Sequence, residues 1–196
     1  MALPPLSPNS LHLVVDMQRL FAEDHGWHVP DMARILPNVL RLCQTSGANT
    51  VYSRFLTPGS PDAAHGRWQA LYRTYHQVTG LPAAIFDLVP DLSELAVQGT
   101  IFDKTTYSLF AVPAFLQHLT KSATDTVVFS GAETDACVYA SLLAAVDMGL
   151  RVVVACDAVT SGDLAAHQTM LDILGRRLPD QVELSTTDDV IRAWAK

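Results

Sequence analysis

The feature that most constrains this fold is a set of short runs that are apolar on nearly every residue. They include residues 11–17 (LHLVVDM), 125–129 (DTVVF) and 151–158 (RVVVACDA). A strand with one wet face alternates apolar and polar residues, whereas a strand covered on both faces does not. Unbroken runs of this length therefore predict buried strands of a parallel sheet. Less apolar runs at 50–56 (TVYSRFL), 100–104 (TIFDK) and 181–185 (QVELS) read as three further strands. Segments with helical spacing fall between them, at 30–43, 68–77, 112–120, from near Ala136 to 149, at 163–175 and at 187–194. Residues 83–97 suggest only a helical turn or two. Thr187 or Asp188 is the expected cap of the last helix. Regular alternation of strand and helix predicts a doubly wound, three-layer α/β/α sandwich with right-handed crossovers. With no repeat or linker in its 196 residues, the chain is expected to form one domain.

Composition limits the function classes. The residues are 49% hydrophobic and 17% charged, which suits a substantial core. A net charge of -7 argues against nucleic acid or an anionic membrane as partner. The first ten residues have no basic start or apolar core of a signal peptide, and no apolar run has the length of a membrane span. Cys43, Cys137 and Cys156 are too few and too widely spaced for a disulfide framework or a zinc site. A soluble cytoplasmic protein acting on a small molecule is the expectation.

In open α/β sheets ligands bind beyond the carboxyl ends of the strands. Asp16, Arg54, Lys104, Cys137 and Asp157 all lie at or just past such ends. Cys137 is predicted in the first turn of a helix, where free N–H groups and the helix dipole favour the thiolate. A thiol, a carboxylate and an ammonium together can run acyl transfer. The carboxylate takes the thiol proton, the ammonium favours the thiolate, and N–H groups of the preceding turn can hold an oxyanion. Each residue also has a structural explanation: a strand-helix junction for Cys137, a loop-forming Asp16, a solvated strand end for Lys104. Phe21, Trp27, Trp68 and Tyr107 are candidate pocket residues, and Arg54 a candidate ligand for a substrate carboxylate or a partner of a neighbouring acid. Cys43 and Cys156 read as core, His167 as a structural helix residue, and Asp157 as a bonding partner for the next loop.

The segments VVDMQ (14–18), FDKTTYS (102–108) and SGAETDACV (130–138), with AVDMG (145–149) and VACDA (154–158), resemble those of the isochorismatase-like cysteine hydrolases. The resemblance implies a six-stranded parallel sheet of order 3-2-1-4-5-6. It also implies an Asp16-Lys104-Cys137 triad, a cis bond between Ala132 and Glu133, and an oxyanion hole from the N–H groups of Glu133 and Cys137. Members are typically dimers or larger, so a homodimer or homotetramer is expected. In that order Lys104 must reach across the crevice from an outer strand. Nicotinamidase-like members hold a metal with a D-x-H and a further His after the second strand. Here that region has only His65, and the loop pair His25 and His28 is a poor substitute, so no metal and no cofactor are expected. Members that cleave the vinyl ether of isochorismate can lack the Cys, so Cys137 points to hydrolysis of an amide, carbamate or urea-type C–N bond. The alternatives are an isochorismatase-type ether hydrolase with Asp16 as acid, and a non-catalytic binding protein. A dinucleotide-binding domain fits less well, because no G-x-G-x-x-G follows the first strand.

Overall fold

The structure, a computed structural model, describes residues 3–194. In chain order the elements are β1 (Ser10–Val15), α1 (Arg19–Ala22), α2 (Met32–Ser46), β2 (Thr50–Phe55), α3 (Trp68–Thr74), α4 (Pro90–Ala96) and β3 (Thr100–Lys104). Then follow α5 (Pro113–Lys121), β4 (Thr126–Ala132), α6 (Tyr139–Asp147), β5 (Arg151–Thr160), α7 (Leu164–Arg177), β6 (Val182–Ser185) and α8 (Thr187–Trp194). The sheet has the order β3-β2-β1-β4-β5-β6, and every pairing is parallel. This is the predicted fold. The strands that read as unbroken apolar runs, β1, β4 and β5, form its centre, and β1 and β4 are buried at every residue. Helices cover both sides: α2 packs on β1, β4, β5 and α8, while α6 and α7 pack near β5 and β6.

The sheet order reverses between β1 and β4, so both chains leave the sheet at one crevice. There β4 runs to Ala132, three residues past its expected end, and β5 runs to Thr160. Gly131 explains the extension. It continues the pairing with Val15 at φ +103, and a Cβ placed on it would lie 2.1 Å from the Val15 carbonyl oxygen. The ladder to β5 shifts register between Phe129 and Gly131. Between β4 and α6 the chain makes one π-helical turn, Thr134–Val138, rather than the expected α-helical start near Ala136.

Other differences are local. The loop after β1 contains the short α1, which the sequence did not suggest. The cap of α8 is neither Thr187 nor Asp188: Thr186 Oγ1 accepts the Asp189 N–H at 3.2 Å. Asp157 bonds the start of that helix, where its Oδ1 accepts from both N–H and Oγ1 of Thr187. Among the described residues no helix is long and apolar enough to cross a membrane.

Candidate active site

Asp16 is the residue just past β1 and adopts φ +50, a left-handed conformation that Asp tolerates better than most residues. That bend brings its carboxylate beneath the exit of β4. Its Oδ1 accepts from Ser53 Oγ at 2.6 Å and its Oδ2 from Lys104 Nζ at 2.7 Å. The same ammonium lies 3.3 Å from Cys137 Sγ and donates to the Thr106 carbonyl at 3.2 Å. Lys104 reaches the crevice from the edge strand by passing over Phe55, with Nζ 4.6 Å from the ring centroid. Asp16 is 0%, Lys104 2% and Cys137 6% exposed. One cation therefore touches a carboxylate and a thiol where water has almost no access.

The adjoining residues of the D-M-Q strand end have separate duties. Met17 is fully buried. Gln18 ties the exit of β1 to that of β2: its Oε1 accepts from Phe55 N at 2.6 Å, and its Nε2 donates to the Phe55 and Phe86 carbonyls. The turn bearing Cys137 is fixed from α7, where His167 Nδ1 meets Thr134 Oγ1 at 2.9 Å. Thr134 in turn donates to the Thr160 carbonyl at 3.1 Å. His167 is thus structural, as its sequence position suggested. The Ala132–Glu133 peptide bond is cis.

Electrostatics correct one expectation. The helix terminus does not hold the resting thiol low. Burial pushes Cys137 well above the ordinary thiol value, and the Asp16 carboxylate adds to the rise, together outweighing the pull of Lys104. Burial also works against the Lys104 ammonium, but Asp16 and the Cys137 sulfur beside it together more than compensate and its pKa is raised. Burial and the two neighbouring charged groups thus act on the Cys137 thiol in opposing directions, with burial the largest influence.

Cys137 opens on a cavity of about 380 Å³. Phe21, Trp27 and Tyr107 line it, as the sequence suggested. Trp68 does not. It lines a separate cavity of about 420 Å³ with His65, Tyr72 and Thr106, and supports Tyr107 from behind at 4.9 Å between ring centroids. Arg54 is also elsewhere. Residues alternate across a strand, and Ser53 and Phe55 take the face toward Asp16 and Lys104. Arg54 is left opposite, paired with Asp103, its neighbour on β3, at 2.7 and 3.0 Å, and with Asp87 at 3.4 Å. It is the acid-pairing option that the structure contains.

Residues that sequence reasoning missed complete the cavity: His28, Leu71, Tyr75, the side chain of Glu133, and Gly162 with Asp163. Leu71 is on α3 and Tyr75 caps its C-terminus, donating its N–H to the Leu71 carbonyl, and Gly162 and Asp163 follow the end of β5. Both signals were present in the sequence. Cys43 is buried off the cavity, with a thiol pushed up to about 12 by burial.

The family model for the Isochorismatase domain matches residues 10–189. The chain belongs to the isochorismatase-like family. Its fold is similar to that of a cysteine hydrolase from Pseudomonas syringae pv. phaseolicola, at TM-score 0.86 and 23% identity, over 100% of this chain and 97% of that one. It is also similar to the nicotinamidase PncA of Bacillus subtilis (TM-score 0.74, 20% identity, 89% and 99% covered). A third likeness is to the MAR1 ribonuclease of Caenorhabditis elegans (TM-score 0.68, 23% identity, 99% and 84% covered). No curated protein matches the sequence. Asp62 pairs with Arg73, His65 lines the second cavity, and among the described residues no three His, Cys, Asp or Glu side chains converge.

Proposed function

We propose that this isochorismatase-like protein is a cysteine hydrolase that cleaves a C–N bond of a small molecule through a thioester. The observation that carries the reading is the single Lys104 ammonium in contact with both the Asp16 carboxylate and the sulfur of Cys137, which lines a cavity.

A thiol whose pKa is raised by burial needs a base at the moment of attack, and Asp16 serves. On substrate binding the proton passes from Sγ to the Asp16 carboxylate, with Lys104 stabilising the thiolate that forms. Sγ attacks the carbonyl carbon, and the oxyanion rests on the N–H groups of Glu133 and Cys137, each worth on the order of 10²-fold or more in such sites. Asp16 returns its proton to the leaving nitrogen, the C–N bond breaks, and the amine or ammonia departs. Water, deprotonated by Asp16, then attacks the thioester. Its collapse releases the acid and restores the thiol.

The ribonuclease activity in the name of the nematode protein is not carried over, since a net charge of -7 and a cavity edged by Glu133 and Asp163 oppose a phosphodiester. The test is turnover of a panel of small amides, carbamates and ureas, with a vinyl ether included, by the wild type and Cys137→Ala. Loss of C–N cleavage by about 10⁴-fold or more in a folded variant is expected. Retained turnover refutes the thiol mechanism. Vinyl-ether cleavage that survives Cys137→Ala and fails in Asp16→Asn identifies the ether hydrolase.

A further inference from the structure

The charges around the cavity are uneven. Behind the lining, the Lys104 ammonium is paired with Asp16 at 2.7 Å. The only base in the lining is His28. Against these stand two carboxyl groups. Asp163 is partly occupied, its Oδ1 accepting the N–H groups of Ala165 and Ala166 as the cap of α7. Glu133 is not a cap. Its Oε1 accepts the Gly162 N–H at 2.9 Å, and Tyr107 on the same lining has its phenol pKa raised by burial, by Cys137 and, less, by Glu133.

The same lining is rich in aromatic residues. Trp27 stacks on Phe21 with centroids 6.3 Å apart, meets Phe55 edge-on at 5.9 Å, and lies 6.0 Å from Tyr75. Tyr107 completes the rim, 44% exposed. Aromatic faces attract cations through their quadrupole, and rings grouped with a carboxylate suit a substituted ammonium, whose hydration is weak enough to surrender. Behind the lining, the Phe55 ring already takes one cation, the Lys104 ammonium 4.6 Å from its centroid. A carboxylate in the same space would lose its water, meet Glu133 and Asp163, and find Arg54 turned to the other face of the sheet.

We propose that the substrate carries a substituted ammonium or similar organic cation, seated among Trp27, Tyr75 and Tyr107 with Glu133 as its counter-charge, and that carboxylate-bearing amides are excluded. This rests on the hydrolase reading for the word substrate, but the cation site itself does not require turnover.

Calorimetric titration of the intact protein with three probes of nearly one shape separates the terms: choline, 3,3-dimethylbutanol and 3,3-dimethylbutyrate. Choline is expected to bind about ten-fold or more tighter than the neutral alcohol, with the carboxylate weakest. Glu133→Gln, which keeps an oxygen for the Gly162 N–H, is expected to narrow the choline–alcohol gap several-fold, and Trp27→Leu to weaken choline more than the alcohol. Equal binding of the three, absence of choline binding, tighter binding of the carboxylate, or an unchanged gap in both variants overturns the proposal. If choline fails to bind while an acyl group still accumulates on Cys137, only the substrate class falls. If choline binds and no acyl group forms with cationic amides, the thiol chemistry falls and the cation site stands.

Discussion

Replacing Lys104 with Met removes the charge and keeps most of the stem that crosses Phe55. The Asp16–Lys104 pair has both side chains fully out of water and a 2.7 Å contact. Removing one partner of a buried pair strands the other, at a cost of about 3–5 kcal/mol. Asp16 retains only Ser53 as a charge-stabilising donor at Oδ1, so the upper part of that range is expected. In a chain of 196 residues, about 2–4 °C of Tm is lost per kcal/mol, which gives a drop on the order of 10 °C. The assay is thermal and urea unfolding of wild type, Lys104→Met, Asp16→Asn and the double variant. The two residues share one interaction, so the double variant should be more stable than the sum of the single losses allows, by about 1–3 kcal/mol. Additive losses, or a Lys104→Met variant within about 2 °C of wild type, would refute the ion pair as described.

Two other outcomes follow from the same geometry. Gly131→Ala should fail to give soluble, cooperatively unfolding protein, because a Cβ 2.1 Å from the Val15 carbonyl cannot be relieved without breaking the β1–β4 ladder; a loss under about 2 kcal/mol by urea unfolding would contradict this. His12, wholly buried between Ser130 and Ser46, has its pKa lowered to about 3 by burial. The unfolded chain therefore takes up that proton first as pH falls below about 6.5. Stability is full above that pH and declines towards pH 3, by up to on the order of 5 kcal/mol from this residue. Urea unfolding across that range should show a shallower slope in His12→Asn, and identical slopes would remove His12 from the account.

Much of this was legible in the chain because it follows from local rules. Unbroken apolar runs marked β1, β4 and β5 as central strands, and strand ends marked Asp16, Lys104 and Cys137 as neighbours of one crevice. Long-range geometry was less accessible. The face taken by Arg54 depends on its register with Asp103, and the division of Trp27 and Trp68 between two cavities depends on how α3 packs. The raised pKa of Cys137 comes first from burial, which a helix-terminus argument omits.

The central claim is that the Cys137 sulfur forms the bond to the substrate's acyl carbon. Quenching the enzyme during turnover and mapping its peptides by mass spectrometry tests this most directly. An acyl mass is expected on the peptide containing Cys137, hydroxylamine-labile as a thioester is, with Cys43 and Cys156 unmodified. Turnover of a C–N substrate with no acyl mass on that peptide, under conditions where deacylation is slowed, would contradict it.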